Sequence, residues 1–283
     1  MHYALPDVIL QPLIEKALTE DLGRRGDVTS AAVISAQKEA QLHIVARESG
    51  VLCGIDLARL TFKTMDSNIR FTAHIEDGAP LTPNTIIASI EGNAHAILSA
   101  ERTALNFLTH LSGIATTTHE IQSSIAHTST RLTCTRKTIP GLRDVQKYAV
   151  RTGGGRNHRM GLDDAILIKD NHIALSDGDI ISTIQKAKAY AGHLIPVEVE
   201  VDTLEQLELV LKEGVSLVLL DNMAPDRLKK AVLMCKGKAA TEASGGITPQ
   251  TAKDVAETGV DFMALGYLTH SARYLDIGLD YLK

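Results

Sequence analysis

The sequence predicts an α/β fold, with an N-terminal α/β sandwich-like domain and an incomplete α/β barrel of about six strands. The second half of the chain contains six short apolar runs, each followed by a polar residue or a glycine. Near-continuous apolar strands are typical of a parallel sheet covered on both faces. Because ligands bind at the carboxyl ends of such strands, the residues that end the runs are expected to form a site. These residues are Arg136, Lys169, Glu200, Asp221, Ser244 and Gly266.

The spacing of these residues predicts a barrel. They recur at intervals of 33, 31, 21, 23 and 22 positions, which suit a strand, a helix and two short loops. Only about 140 residues hold these units, whereas an eight-stranded barrel needs about 250, so we expect a shortened or open barrel. The apolar runs cover residues 132–135, 165–168, 197–199, 217–220, 239–243 and 262–265. The predicted helices between them cover 180–190, 204–212, 226–234 and 249–258.

The N-terminal part begins with an amphipathic helix over residues 6–22, for which Asp7 is the expected N-cap. Alternation over 41–47 and the run 85–90 between turn residues predict strands of an antiparallel or mixed sheet. A helix over 55–65 is expected between these strands.

A long helix over about residues 94–125, either continuous or broken near Ser112 and Gly113, joins the two parts. We therefore place the N-terminal domain at residues 1–112, including the start of this helix, and the barrel domain at 113–283. The last residues belong to the barrel domain or pack back on the N-terminal domain.

The composition excludes some classes of function. A net charge of −5 and 4% aromatic residues, without Trp, argue against a general nucleic-acid binder. The three cysteines are scattered, which predicts neither a disulfide framework nor a structural zinc site. Without a secretory signal pattern or an apolar stretch near the roughly 18 residues of a membrane span, we expect a soluble cytoplasmic protein.

A basic segment predicts a polyanionic ligand. Residues 131–172 contain nine Lys or Arg against four Asp, and a cleft lined by one sign of charge concentrates oppositely charged substrates. Arg136 and Arg159 can each grip a carboxylate or a phosphate through two hydrogen bonds, whereas Lys137 and Lys169 act as point charges. The alternative is a solvated basic surface.

The glycine-rich run 152–159 matches neither a Walker loop nor a dinucleotide fingerprint. A mobile anion-gripping loop is favoured by the neighbouring basic residues and His158, and a flexible connector is the alternative. His158 is the histidine that we assign to the site, followed by His270. His110 and His172 are interpreted as structural.

Acidic residues near two strand ends predict a magnesium site. Glu198 and Glu200 point to the same face of their strand, and Asp221 ends the next one. Glu200 and Asp221 are suited to hold Mg²⁺, directly or through water, beside a phosphorylated substrate. The alternative is that Glu198 or Glu200 only pairs with Lys169 or an arginine inside the barrel.

Small residues close the last two strands. Ser244, Gly245, Gly246, Gly266 and Tyr267 allow backbone N–H groups to approach a phosphate, as in the phosphate sites of other barrels. Ordinary turns are the alternative.

Seven short segments between residues 101 and 247 resemble, in their order, those of one known family, and the resemblance extends over nearly the whole chain. They are ERTALN at 101–106, TRKTIPG at 135–141, GGRNHR at 154–159, KDNH at 169–172, EVEV at 198–201, LDN at 220–222 and EASGGI at 242–247. The chain resembles the quinolinate phosphoribosyltransferases, also called carboxylating nicotinate-nucleotide pyrophosphorylases. The ordered set is far more specific than any one of its motifs.

The resemblance implies a homodimer, or a higher oligomer, whose active sites are completed across subunits, with Arg102 reaching the neighbour's site. It implies that quinolinate carboxylates bind Arg136, His158, Arg159 and Lys169. It implies that 5-phosphoribosyl-1-pyrophosphate and its Mg²⁺ bind Lys137, Glu200, Asp221, Ser244, Gly245, Gly246, Gly266 and Tyr267. Thr138, Leu265 and His270 complete the predicted substrate-binding set. The predicted catalytic residues are Lys137, Lys169, Glu200 and Asp221.

The implied reaction forms nicotinate mononucleotide, CO₂ and pyrophosphate in de novo NAD biosynthesis. Mg²⁺ and lysines would stabilise the leaving pyrophosphate, and a carboxylate would offset positive charge on the ribose. Three alternatives are a paralogous protein of the molybdate-transport type, a Schiff-base aldolase that uses Lys169, and a non-catalytic ligand-binding relative. The intact KDNH segment argues against the paralogue, and the surplus of arginines argues against the aldolase.

Overall fold

The computed structural model describes residues 4–281 of the chain. Its helices are α1 (Asp7–Leu22), α2 (Val28–Val33), α3 (Ile55–Met65), α4 (Ala94–Ser124), α5 (Arg143–Thr152), α6 (Asp170–Leu175), α7 (Ile180–Tyr190), α8 (Leu204–Lys212), α9 (Pro225–Cys235), α10 (Ala252–Ala256) and α11 (Tyr267–His270). Its strands are β1 (Glu39–Ala46), β2 (Gly50–Val51), β3 (Arg70–Ala73), β4 (Pro80–Leu81), β5 (Ile86–Asn93), β6 (Arg131–Thr133), β7 (Ile166–Ile168), β8 (Val197–Val201), β9 (Leu217–Asp221), β10 (Ala240–Ser244), β11 (Phe262–Ala264) and β12 (Ile277–Asp280).

The chain divides into two compact units. The first contains the residues up to 119, the segment 140–154 and the residues from 272 onward; the second contains 120–139 and 155–271. Segment 140–154 groups with the first unit although it lies between two barrel strands along the chain.

The first unit is built on an antiparallel sheet in the order β12-β1-β5-β3, with a separate β2-β4 pair. Strand β12 pairs with β1, so the last described strand of the chain packs on the N-terminal sheet. Ile44, Phe62 and Ile90 are fully buried in its core. The predicted helix over 55–65 is confirmed as α3, and the Asp77 carboxylate accepts hydrogen bonds from the first backbone N–H groups at its N-terminus.

Helix α4 is continuous, so the option of a break near Ser112 and Gly113 is wrong. The Ser112 hydroxyl bonds to the backbone N–H and carbonyl of Cys53 rather than interrupting its own helix. A Cβ on Gly113 would lie 1.8 Å from the Arg273 carbonyl oxygen, so this glycine permits a close backbone approach.

The predicted cap of the first helix is also wrong, because Pro6 is the N-cap of α1 and Asp7 is its first helical residue. At that position the Asp7 carboxylate lies near the positive end of the helix dipole and pairs with Arg59 at 3.2 Å.

The second unit contains six parallel strands in the order β6-β11-β10-β9-β8-β7. Each strand begins and ends within two residues of the predicted apolar run, and the predicted incomplete barrel is confirmed. Helix α10 is shorter than predicted because Thr248 and Thr251 form a hydrogen-bonded turn before it.

Segment 154–157 extends this sheet beyond β6. The Arg156 N–H donates to the Leu132 carbonyl at 2.8 Å, and the Arg156 carbonyl accepts from Cys134 at 3.2 Å. The C-terminal part of the glycine-rich run is therefore hydrogen-bonded to the segment that begins with β6. This pairing places His158 at the barrel interior. Within residues 4–281, no helix combines the length and hydrophobicity that a membrane span needs.

Candidate active site

The carboxyl ends of the barrel strands surround a cavity of about 740 Å³ in the second unit. Twelve of the predicted site residues line it: Arg136, Lys137, His158, Arg159, Lys169, Asp221, Ser244, Gly245, Gly246, Gly266, Tyr267 and His270. The parallel register explains this convergence, since Asp221 is paired with Ser244 and Leu219 with Glu200. Residues far apart in the sequence therefore meet at one edge of the sheet.

Three predicted residues of the second unit lie beside the cavity rather than in its lining. Glu200 contacts Lys169 through its carboxylate. Leu265 is buried and donates its N–H to the Thr133 carbonyl. Thr138 donates its N–H to the Arg136 carbonyl. Arg102 belongs to the first unit, where it is exposed on α4. Its predicted role in a neighbouring subunit stays a prediction.

Lys169 and Glu200 form an ion pair across neighbouring strand ends. The Lys169 side chain is 45% exposed, whereas that of Glu200 is only 10% exposed. The lysine therefore lines the cavity, and the more buried acid pairs with it. Burial raises the pKa of Glu200, although the hydrogen bond from Lys169 opposes that rise. Glu200 therefore pairs with Lys169, as the alternative predicted.

Asp221 faces the same cavity from the next strand. Burial raises its pKa, while the positive charges of Lys169 and Lys137 lower it. The Asn222 side-chain amide donates to the Asp221 carboxylate at 2.6 Å.

A buried cluster of His158, Glu198 and Glu242 lies deeper in the barrel. His158 Nε2 is 3.3 Å from a carboxylate oxygen of each glutamate. Glu198 thus pairs with a histidine, and it also interacts electrostatically with an arginine, Arg159. His158 Nδ1 accepts a hydrogen bond from the Arg159 N–H at 2.8 Å.

Burial by itself would lower the pKa of His158, but its hydrogen bonds to Glu198 and Glu242 raise that pKa to about 9. The unfolded chain has a histidine pKa of about 6.5, so the cluster stabilises the fold fully below pH 6.5 and loses this contribution as the pH rises through about 9.

We therefore expect the free energy of unfolding of the wild type to fall, relative to His158→Gln, by roughly 1–3 kcal/mol between pH 6.5 and 9. Denaturant titrations of both proteins at several pH values measure this difference. A difference that stays constant with pH would contradict the charged cluster.

Two arginines present their guanidinium groups to the cavity. The Arg159 guanidinium donates to the Ala165 carbonyl at 2.8 Å. Burial, together with the positive charge of Arg136, lowers the pKa of Arg159. Arg136 Nε is buried and has no hydrogen-bond partner within residues 4–281. A buried donor in this state is stabilised by an anionic ligand that supplies the acceptor.

A turn of glycines lines part of the cavity. Gly245 and Gly246 have φ angles of 90° and 60°, and neighbouring Asn222 has 51°, all in the left-handed region that favours glycine. A Cβ on Gly245 would lie 2.3 Å from the Asn222 side-chain oxygen. Turns with left-handed residues can form the concave N–H surfaces that bind phosphate, so this turn suits a phosphate group.

Lys137 lies against Gly266 and α11. Its N–H donates to the Thr135 hydroxyl at 3.0 Å, and its carbonyl accepts from the Thr269 hydroxyl at 2.8 Å. His270 Nδ1 is 2.6 Å from the Ser271 hydroxyl. His172 accepts the Lys169 N–H and caps α6, while buried His110 bonds to Gln146, so both have the structural contacts expected of them.

Glu242 and Asn222 are site residues that were not predicted from the sequence. Glu242 is a lone acid within an apolar strand, two residues before Ser244, and this alternation is the same signal that indicated Glu198 and Glu200. Asn222 follows a strand end directly, but its left-handed backbone is visible only in the structure.

Comparison with known proteins agrees with this architecture. The family model "Quinolinate phosphoribosyl transferase, N-terminal domain" matches residues 27–112, and the model of the C-terminal domain matches 114–280. A nicotinate-nucleotide pyrophosphorylase [carboxylating] of Mycobacterium leprae is 44% identical over 272 residues, covering 94% of this chain and 95% of that protein. A probable one of Bacillus subtilis is 41% identical over 271 residues, covering 96% and 93%.

Solved structures show the same similarity over the whole length. NadC from Streptococcus pyogenes matches with a TM-score of 0.94 and 37% identity, covering 99% of this chain and 100% of that one. The nicotinate-nucleotide pyrophosphorylase from Francisella tularensis matches with a TM-score of 0.93 and 39% identity, covering 98% and 97%. Since both family models match and the relatives exceed 40% identity over nearly their full length, the chain belongs to the quinolinate phosphoribosyltransferase family.

Proposed function

We propose that this chain transfers the phosphoribosyl group of 5-phosphoribosyl-1-pyrophosphate to quinolinate with decarboxylation, forming nicotinate mononucleotide for NAD biosynthesis. The observation that carries this proposal is the convergence of separate cations on one cavity, which Arg136, Lys137 and Arg159 all line. A dicarboxylate and a polyphosphate together match this amount of positive charge.

Quinolinate fits the side of the cavity that holds the arginines. The buried Arg136 Nε needs an acceptor, and planar guanidinium groups bind carboxylates through paired hydrogen bonds. Lys169 adds a third positive charge at the strand end. This arrangement holds the pyridine nitrogen in a fixed direction toward the sugar.

The phosphorylated sugar fits the glycine turn and Lys137. The backbone N–H groups of Gly245 and Gly246 suit its 5-phosphate, and Lys137 suits the pyrophosphate. As pyrophosphate leaves, positive charge develops on the ribose carbon, and the Asp221 carboxylate offsets it. The quinolinate nitrogen then bonds to that carbon.

Decarboxylation follows from the charge on the pyridine ring. Once the nitrogen carries the ribose, the ring is cationic and accepts the electron pair left when the adjacent carboxylate departs as CO₂. A proton then replaces the carboxylate on that carbon. The chain's own contribution is positioning and electrostatic stabilisation.

The donor set of Glu200 and Asp221 fits Mg²⁺, a cation that prefers oxygen ligands and keeps several waters. Both carboxylates lie at adjacent strand ends, burial raises the pKa of each, and a nearby cation favours their ionised forms. When bound there, Mg²⁺ would neutralise charge on the leaving pyrophosphate.

The proposed function is tested by incubating the purified protein with Mg²⁺, 5-phosphoribosyl-1-pyrophosphate and quinolinate labelled in the carboxylate beside the nitrogen. We expect release of labelled CO₂ and an equal amount of nicotinate mononucleotide. Nicotinate in place of quinolinate is the matched control, since it lacks the second carboxylate. A folded protein that forms no product would refute the proposal.

The alternatives have less support. Lys169 is held in an ion pair with Glu200, and an ammonium in an ion pair is not the nucleophile that a Schiff-base aldolase needs. A non-catalytic relative would bind both substrates without turnover in the same assay.

Arg136→Lys is expected to weaken quinolinate binding by at least about 1.5 kcal/mol, because a lysine cannot form two parallel hydrogen bonds with a carboxylate. Calorimetric titration of both proteins with quinolinate measures the change. Unchanged affinity would remove Arg136 from this role.

We also propose a homodimer in the cytoplasm. The exposed position of Arg102 on α4 supports its availability to a neighbouring subunit. The three cysteines are free and buried, as is usual in a reducing compartment. Light scattering of the purified protein tests the dimer.

A further inference from the structure

Asn222 follows strand β9 and has an uncommon backbone conformation. Its φ is 51°, in the left-handed region, and within residues 4–281 the other non-glycine residues with a positive φ are Asn84 and Asp177. Those two lie in connecting turns outside the substrate cavity, whereas Asn222 lines the cavity. Asparagine tolerates this conformation, but glycine adopts it without steric cost. The contacts of the side chain therefore have to explain why the position carries one.

The side-chain amide of Asn222 holds the carboxylate of Asp221. The amide nitrogen, Nδ2, donates to Asp221 Oδ2 at 2.6 Å. An ionised carboxylate only accepts hydrogen bonds, so the nitrogen of the amide must face Asp221 and its oxygen must point elsewhere. The bond restrains the rotation of the carboxylate, whose other oxygen is left to meet a ligand in the cavity.

The amide oxygen of Asn222 lies against Gly245. A Cβ built on Gly245 would lie 2.3 Å from this oxygen and 2.6 Å from the amide carbon. The Asn222 side chain therefore occupies the space beside Gly245 that a larger residue would need. A Cβ built on Gly246 would lie 4.0 Å from the same oxygen, so both glycines of the turn proposed for phosphate are close to this amide.

The backbone of Asn222 joins the same two strand ends. Asp221 and Ser244 are register partners in β9 and β10, and the Asn222 N–H donates to the Ser244 carbonyl at 2.9 Å. One residue thus contacts both the carboxylate that would face the ribose and the turn that would bind the 5-phosphate. The distance between these two groups depends on Asn222.

From these contacts we infer that Asn222 is a positioning residue, which holds the Asp221 carboxylate and the Gly245 turn in register for the two ends of the phosphoribosyl donor. The inference rests on the proposed function, because the ribose carbon and the 5-phosphate of that donor are the groups that would meet them. A carboxylate already oriented before the reaction stabilises positive charge on the ribose without reorganisation. Asn222 thus acts through Asp221 on turnover and through Gly245 on binding.

The kinetic test uses Asn222→Gly, which keeps the left-handed backbone without strain and removes the amide. We expect kcat to fall at least about tenfold, as for loss of a charge-assisted hydrogen bond. In an Asp221→Ala background, the same substitution should change kcat by less than about twofold, because the group that Asn222 orients is already absent. Equal losses in both backgrounds would show a general structural role and overturn the inference.

A second variant and a control separate the hydrogen bond from the backbone. Asn222→Asp keeps the size of the side chain and its tolerance of a positive φ, but it places an acceptor against the Asp221 carboxylate. We expect it to lower kcat at least as much as Asn222→Gly, and a wild-type kcat would overturn the inference. Asn84→Gly is the matched control, because Asn84 has a φ of 70° and is exposed in a turn before β5. Its kinetics should be unchanged.

Calorimetric titration tests binding without turnover. For Asn222→Gly we expect the Kd for 5-phosphoribosyl-1-pyrophosphate, measured with Mg²⁺ and without quinolinate, to rise about fivefold or more, and the Kd for quinolinate to change by less than about twofold. Equal weakening toward both ligands, or no change toward either, would overturn the inference. A wild type that binds the donor but forms no nicotinate mononucleotide would instead refute the proposed function, and the donor titration would still test Asn222.

Discussion

Lys169→Ala is expected to lower kcat/KM by at least about a thousandfold. The substitution removes a cation from the substrate cavity and also leaves Glu200, whose side chain is only 10% exposed, without its ion-pair partner. Removing one member of such a pair leaves an uncompensated charge, which is more damaging than the loss of one contact. Steady-state kinetics with both substrates measure the effect.

The matched control is Lys212→Ala, because Lys212 forms an ion pair with Glu208 in which both side chains are more than 60% exposed. Exposed pairs of this kind contribute little, so we expect kcat/KM to change by less than about twofold. A loss below about tenfold for Lys169→Ala would remove this lysine from the catalytic set.

Gly245→Ala is expected to raise the KM for 5-phosphoribosyl-1-pyrophosphate by at least about thirtyfold, with a smaller effect on quinolinate affinity. Gly245 has a φ of 90°, and its new Cβ would lie 2.3 Å from the Asn222 side-chain oxygen and 2.8 Å from the Asn222 backbone nitrogen. Either the turn or Asn222 must move, and both changes disturb the concave backbone proposed for phosphate.

Gly192→Ala is the control for this prediction. A Cβ at Gly192 would meet no heavy atom within 4 Å, and its φ lies outside the left-handed region. We expect unchanged kinetics and unchanged thermal stability for the control. An unaltered KM for the phosphoribosyl donor in Gly245→Ala would show that the phosphate binds elsewhere.

The order and limits of the barrel strands were predictable because a buried parallel strand needs a nearly continuous apolar run. Strand β9, for example, was predicted over 217–220 and covers Leu217–Asp221. Since the carboxyl ends of such strands share one edge, the convergence of Lys169, Asp221 and Gly266 on a cavity followed from the spacing alone.

Breaks within helices were harder to predict from the sequence than the limits of the barrel strands. Gly113 favours a helix break by propensity, yet it lies inside continuous α4, where the absence of a side chain leaves room for the Arg273 carbonyl. The end of the chain and the middle of a helix are distant in sequence, so no local pattern reports this contact. Tertiary packing overrides propensity in this way.

The linear order of residues was enough to predict an α/β chain with a cationic strand-end site, because hydrophobic periodicity and strand direction are local properties. The partner of each acidic residue could be identified only from the tertiary structure. Glu198 binds His158 together with Glu242, while Glu200 binds Lys169, although both acids lie on the same face of β8. Which cation each acid meets depends on the depth of the residue in the barrel and on the strands opposite it, and these distances are set only when the sheet curves.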